Sequence, residues 1–218
     1  MSDFKFKQFE VAQDKSAMKI GTDGVLLGSW SDLENSRNIL DIGCGTGLIC
    51  LMAAQRNPSS LIIGIELEVN AFKQATENCK KSKWSNRISI IYSSLQSFNS
   101  SSKFDLIISN PPFFSGSTKS ENSERNLARN TQNLTFKYLI EKSKALLDKN
   151  GKFIVIIPFE SKTKFCDLAI DNNLFLNKIC FIKGSISEDD LDPDIGVKYV
   201  DGKPNKLEML SEKPGKGD

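Results

Sequence analysis

The 218-residue chain carries 39% hydrophobic and 26% charged residues at a net charge of +2, the balance of an ordinary globular protein with a core for one domain. No apolar run approaches the roughly 18 residues of a membrane span, and Met1-Ser2-Asp3-Phe4-Lys5 opens without a secretory stretch, so a cytoplasmic protein without membrane contact is expected. There is no histidine, and the five cysteines (Cys44, Cys50, Cys79, Cys166, Cys180) form no CxxC pair, which disfavours zinc, predicts no metal, and excludes Ser-His-Asp and Cys-His catalysis.

In chain order, Phe4 and Phe6 alternate with Lys5 and Lys7, as in a short strand or extended arm. Gly21-Thr22-Asp23-Gly24 precedes a helix over Val25–Trp30, with Thr22 or Asp23 as its N-cap. Short apolar runs predict strands at Asn38–Ile42, Leu61–Glu66, Ile88–Tyr92, Phe104–Ser109, Phe153–Ile157 and Phe175–Ile182, their isoleucines suiting burial on both faces. Between them fall helices over Leu48–Arg56, stopped ahead of Pro58, over Val69–Lys83, and over Thr135–Leu147, stopped at Asn150-Gly151. Ser97–Ser102 reads as a surface loop, and the polar Glu121–Asn133 as a long connection of the kind that carries function. The alternation predicts an α/β fold of Rossmann-like form, a mostly parallel sheet with helices on both faces. Residues 1–37 form an N-terminal arm and helix, 38–184 the core, and 185–218 a polar tail.

Three motifs carry chemistry. In Ile39-Leu40-Asp41-Ile42-Gly43-Cys44-Gly45-Thr46-Gly47 a strand runs through three glycines into a helix, where free N–H groups meet a carboxylate and Asp41 can meet an ammonium. The spacing GxGxG departs from the GxGxxG of dinucleotide sites and suits a ligand with an amino-acid head group. Glu66 stands 21 residues past Gly45 at a strand end, where an acid holds a ribose diol. Asn110-Pro111-Pro112-Phe113 follows a strand directly. Its prolines remove N–H donors, leaving the Asn110 amide oxygen and the Pro111 carbonyl to accept both hydrogens of an –NH₂ group, while Phe113 offers a face for a planar base. Of two basic clusters, Lys80, Lys81, Lys83 and Arg87 read as a solvated face; Lys119, Arg125 and Arg129 stand beside the candidate site.

Together ILDIGCGTG, Glu66 and NPPF resemble class I S-adenosylmethionine methyltransferases that methylate amino groups. The opening segment, from Phe6-Lys7-Gln8-Phe9-Glu10-Val11 through Ala17-Met18-Lys19-Ile20 to Gly21-Thr22-Asp23-Gly24-Val25-Leu26-Leu27-Gly28, with Arg125-Asn126-Leu127-Ala128-Arg129, is similar to bacterial tRNA(Val) adenine-N6 methyltransferases. That resemblance implies S-adenosylmethionine as cofactor, with S-adenosylhomocysteine as product. It implies methyl transfer to N6 of the adenosine 3′ of the anticodon, position 37, with tRNA as partner and no obligate protein partner. Lys19, Gly21, Thr22, Asp41, Gly43, Gly45, Gly47, Glu66, Ser94 and Asn110 would contact the cofactor; Asn110, Pro111, Pro112 and Phe113 would form the catalytic base pocket; Arg125 and Arg129 would meet RNA phosphates. The family's acid after the third strand is replaced by Ser93-Ser94-Leu95, and its closing antiparallel strand has no evident counterpart in Ser185–Asp218. Within that tail, Val197–Val200 and Lys206–Leu210 are strand candidates, a disordered tail being the alternative. Competing readings are methylation of rRNA guanine N2 or a protein glutamine, or an inactive cofactor- or RNA-binding module.

Overall fold

The computed structural model describes residues 3–112, 134–183, 198–199 and 206–213. A two-strand ribbon, β1 (Phe4–Lys5) and β2 (Glu10–Val11), precedes α1 (Thr22–Trp30). Then follow β3 (Asn38–Ile42), α2 (Leu48–Arg56), β4 (Leu61–Glu66), α3 (Val69–Lys81), β5 (Ile88–Tyr92) and β6 (Phe104–Ser109). The second half contains α4 (Phe136–Leu146), β7 (Leu147–Pro158), α5 (Lys162–Asp171), β8 (Phe175–Lys183), β9 (Lys198–Tyr199) and β10 (Lys206–Lys213).

The main sheet has eight strands in the order β5-β4-β3-β6-β7-β10-β8-β9, and every pairing is parallel except β8 with β9. Alternation along the strands divides the core in two. Ile39, Ile62, Ile108 and Ile154 pack with Leu27, Leu51 and Ala75, the side of α1, α2 and α3. Leu40, Ile107, Phe153 and Val155 pack with Leu139, Ile140 and Phe165, the side of α4 and α5. A doubly wound sheet built this way reverses strand order between β3 and β6, and the crevice beyond that point is where such sheets receive ligands.

Several boundaries differ from expectation for identifiable reasons. Helix α1 starts at Thr22 with Gly21 as its N-cap and no side-chain cap, so neither Thr22 nor Asp23 caps it. Helix α3 ends at Lys81, and the Glu68 carboxylate caps its start by accepting the Asn70 and Ala71 amides. Helix α4 lies within the expected Thr135–Leu147, with Thr135 as its N-cap and Leu147 as its C-cap, so the Asn150-Gly151 signal does not end it. That signal marks an irregularity in β7 instead: Phe104 faces Leu147, but Leu106 already faces Lys152. Gly151 sits there because a Cβ would lie 2.8 Å from the Phe104 carbonyl oxygen.

Both strand candidates of the C-terminal segment are strands: Lys206–Leu210 lies in β10, and Lys198–Tyr199 of Val197–Val200 form β9. Strand β10 lies between β7 and β8 and runs parallel to both, where the family resemblance implies an antiparallel closing strand. A parallel strand requires the chain to return to the amino edge of the sheet. Strand β9 runs in that direction, antiparallel to β8 at Lys178 and Ile179, and β10 enters beside Phe175.

Candidate active site

The glycine turn follows β3, and Gly43, Gly45 and Gly47 all have positive φ, at 71°, 56° and 83°. At Gly43 and Gly45 that geometry is combined with open space, since a Cβ at either would meet nothing within 4 Å. An L side chain is strained there and would fill the opening a ligand needs. The turn is held from beneath: the Gly43 and Cys44 amides donate to the Ile65 carbonyl at 2.9 and 3.0 Å.

Glu66 holds the turn from the side. One carboxylate oxygen accepts the Gly45 amide at 2.8 Å, and the other accepts the Leu67 and Glu68 amides, each at 2.8 Å. A carboxylate oxygen accepts two hydrogen bonds, so the oxygen facing Gly45 keeps capacity for one further donor. Beneath lies Asp41, 1% exposed, with one oxygen accepting the Cys50 thiol at 3.3 Å and the other without a hydrogen-bond partner among the described residues. Burial pushes its carboxyl up to about 7, and the nearby Glu66 charge adds to the rise. A buried acceptor with no donor is costly unless something supplies one. The site therefore has the donor demand that an ammonium-bearing ligand would meet.

Strand β6 brings the third motif to the same edge. Ile42 pairs with Ser109, whose hydroxyl donates to the Ile42 carbonyl at 3.0 Å. Gly43 and Asn110 thus leave neighbouring strands together at the switch point, with Asn110 half-buried, Pro111 buried and Pro112 half-buried. Helix α1 arrives from above. A Cβ at Gly24 would lie 3.3 Å from Leu48 and one at Gly28 2.6 Å from the Met52 sulfur. The two i, i+4 pairs in the same order mean that α1 and α2 lie side by side in the same direction. Gly21 and Thr22 therefore stand at the glycine-turn end of α2.

Two expected contacts are occupied locally. The Lys19 ammonium donates to the Gln13 and Ser16 carbonyls at 2.5 and 2.8 Å, closing its own loop on the approach to Gly21. The Ser94 hydroxyl donates to Ser97 Oγ at 3.0 Å and accepts the Ser97 amide at 3.1 Å, forming a turn next to Ser93, whose amide reaches the Glu66 carbonyl. Phe113, Lys119, Arg125 and Arg129 lie outside the described residues. In the other basic cluster Arg87 is no solvated cation, since its guanidinium donates to the carbonyls of Ala54, Asn57 and Ser60. A polar hollow of about 680 Å³ lined by Trp30, Asp32, Arg37, Arg56 and Asn57 lies at the amino edge of the sheet, away from the turn. Its Arg56 and Asn57 donate to backbone carbonyls of Gly28, Ser31, Leu33 and Ser36, which marks it as framework.

Sequence reading missed Gln74 and Asn78, buried amides on α3 that bind the N-terminal arm. The signal was present: they interrupt the otherwise small, apolar face of Ala71, Ala75 and Cys79.

Comparison with known proteins adds an independent line. A family described as the methyltransferase small domain matches residues 16–169. A tRNA1(Val) (adenine(37)-N6)-methyltransferase of Pseudoalteromonas translucida is 45% identical over 185 residues, 85% of this chain and 79% of that protein. A protein of the same description from Christiangramia forsetii is 46% identical over 187 residues, 84% and 78% of the two chains. Another from Bacteroides fragilis is 46% identical over 175 residues, 79% and 73%.

Proposed function

The chain belongs to the methyltransferase small-domain family and, within it, with the tRNA1(Val) (adenine(37)-N6)-methyltransferases, and from that premise we propose that it methylates N6 of adenosine 37 in tRNA1(Val) using S-adenosylmethionine. The observation that carries the reading is the unpartnered Asp41 oxygen beneath an open glycine turn, beside Asn110 at the strand-order reversal.

When bound, S-adenosylmethionine supplies an electrophilic methyl group on a sulfonium. Asp41 would hold its ammonium, the glycine turn its methionine portion, and Glu66 its ribose hydroxyls. The Asn110 side-chain oxygen and the Pro111 carbonyl would accept the two N6 hydrogens of the adenine. That pairing draws the nitrogen lone pair out of conjugation with the ring and aims it at the carbon under attack. The chain's contribution is position and fixed dipoles rather than a strong base. An anticodon-loop adenosine must be splayed from its neighbours to enter.

The test is incubation of the protein with S-adenosylmethionine and a tRNA1(Val) transcript, followed by nucleoside mass spectrometry. N6-methyladenosine is expected at position 37, and none in a transcript with guanosine there. Methylation of guanine N2 or of a protein glutamine instead, or retention of the cofactor with no methyl transfer, would overturn the assignment.

A further inference from the structure

The N-terminal arm is fastened by one side of α3. Asn78, 4% exposed, accepts the Ala12 amide on its side-chain oxygen at 3.1 Å and donates from its side-chain nitrogen to the Ala12 carbonyl at 2.9 Å. The same nitrogen donates to the Thr46 carbonyl at 2.9 Å, inside the glycine turn. One buried amide thus bonds both backbone groups of an arm residue and the peptide between Gly45 and Gly47. One turn earlier Gln74, 1% exposed, accepts the Lys15 amide at 3.1 Å. Further along, Gln13 accepts the Ile20 amide at 2.9 Å and the Lys19 ammonium ties Gln13 to Ser16, so the arm reaches Gly21 as a closed loop. The same helix face presses on the turn, where a Cβ at Gly47 would lie 3.1 Å from the Cys79 sulfur and 3.4 Å from Ala75.

Both N–H donors of Asn78 are engaged and its oxygen accepts one bond, all in a buried place. Opening the arm strands the Asn78 oxygen and one of its N–H groups, and removes the partner that fixes the amide plane toward the Thr46 carbonyl. Loosening the turn in turn removes a partner that keeps the Asn78 amide plane aligned with Ala12. Two segments that share one buried amide are energetically coupled, and coupling is reciprocal.

We propose that Asn78 is a positioning residue that couples the N-terminal arm to the glycine turn, so that binding of an S-adenosylmethionine-type ligand and docking of residues 12–20 strengthen each other. The inference rests on the cofactor site assigned above. It makes the arm a part of the binding equilibrium rather than a passive strap.

Hydrogen exchange of the unaltered protein with and without S-adenosylhomocysteine reads the coupling directly. The Ala12 and Lys15 amides should slow about tenfold or more when the ligand saturates the protein, while amides of α5, on the other side of the sheet, stay unchanged. In Asn78→Ala that ligand-dependent slowing should vanish, and the ligand's Kd by calorimetry and the KM for S-adenosylmethionine should rise about tenfold, with kcat falling less than twofold. Gln74→Ala, which keeps the Thr46 bond, should lose protection at Lys15 with a smaller rise in Kd. Unchanged exchange at Ala12 and Lys15 in the liganded parent protein would overturn the proposal, whether or not a variant folds. Parallel losses of kcat and thermal stability at constant KM would reduce Asn78 to a structural role. Failure of the parent to bind the ligand at all would instead remove the cofactor site itself.

Discussion

Asp41 shows how a single group can read its surroundings. Its carboxyl, held at about 7 by burial, binds a proton in the folded chain over a pH range where the unfolded chain has released it. Between pH about 4 and about 7 the folded state therefore holds more protons, and its stability falls as pH rises. The shift corresponds to at most about 4 kcal/mol at neutral pH. Asp41→Asn removes the ionisation, so urea unfolding should find the variant level with the parent near pH 4 and more stable at pH 8. A ligand ammonium favours the ionised form, so ligand binding should release a proton below pH 7. Calorimetry in two buffers of different ionisation enthalpy measures that release, and its absence in the parent would dissociate Asp41 from the ammonium. Asn110 has the opposite profile. Asn110→Ala should lower kcat a hundredfold or more, the size associated with losing one directed polar contact in a transition state, while ligand Kd changes little. Near-normal turnover would remove Asn110 from the chemistry.

At the scale of elements, the apolar runs and their punctuation were decisive. Helix α2 and strands β3, β4, β5 and β6 have the bounds that their sequence predicts, because each apolar run is bracketed by glycine, proline or polar residues. The turn and Asn110 were legible for the same reason, lying where a periodic run stops. Less legible were features that depend on a distant partner. Gly151 looks like a helix stop, yet it serves the close approach to Phe104. Arg87 looks like surface charge, yet it collects the carbonyls at the end of α2. Gly64 in β4 gives the sharpest element-scale test, since a Cβ there would lie 2.9 Å from each of Cys44 Sγ, Cys50 Sγ and Ile90 Cδ1. Three packed neighbours cannot all yield, so Gly64→Ala should cost about 1–3 kcal/mol of stability in urea. Because Cys50 donates to Asp41 and Cys44 belongs to the turn, ligand affinity should fall with it. An Ala variant as stable as the parent would mean that the sheet and α2 are far less tightly joined.

At the scale of the whole molecule, the C-terminal strand joins two halves of the sheet. Strand β10 completes the pairing of both β7 and β8, and β7 in turn flanks β6, which delivers Asn110 to the site. Its strand character was legible in Lys206–Leu210 but its central place was not, because Met209 enters the apolar core fully while the next residue back, Glu208, is buried at 3% on the other face. Glu208 stands opposite Ile154 and Lys178, near a Lys152 ammonium already bound to Asp32 at 2.6 Å. One carboxylate oxygen has no hydrogen-bond partner among the described residues. Burial raises the carboxyl above its ordinary value, and the attraction of Lys152 and Lys178 opposes that rise without cancelling it. The folded chain again holds the extra proton, so stability contributed at low pH is lost as pH climbs from the ordinary glutamate range through the raised value. Glu208→Gln keeps the shape and abolishes the titration. Its urea midpoint should match the parent near pH 4 and exceed it at pH 8. The reverse order at pH 8 would show that the two lysines outweigh burial, making Glu208 an electrostatic clamp on the final strand rather than a cost that the sheet tolerates.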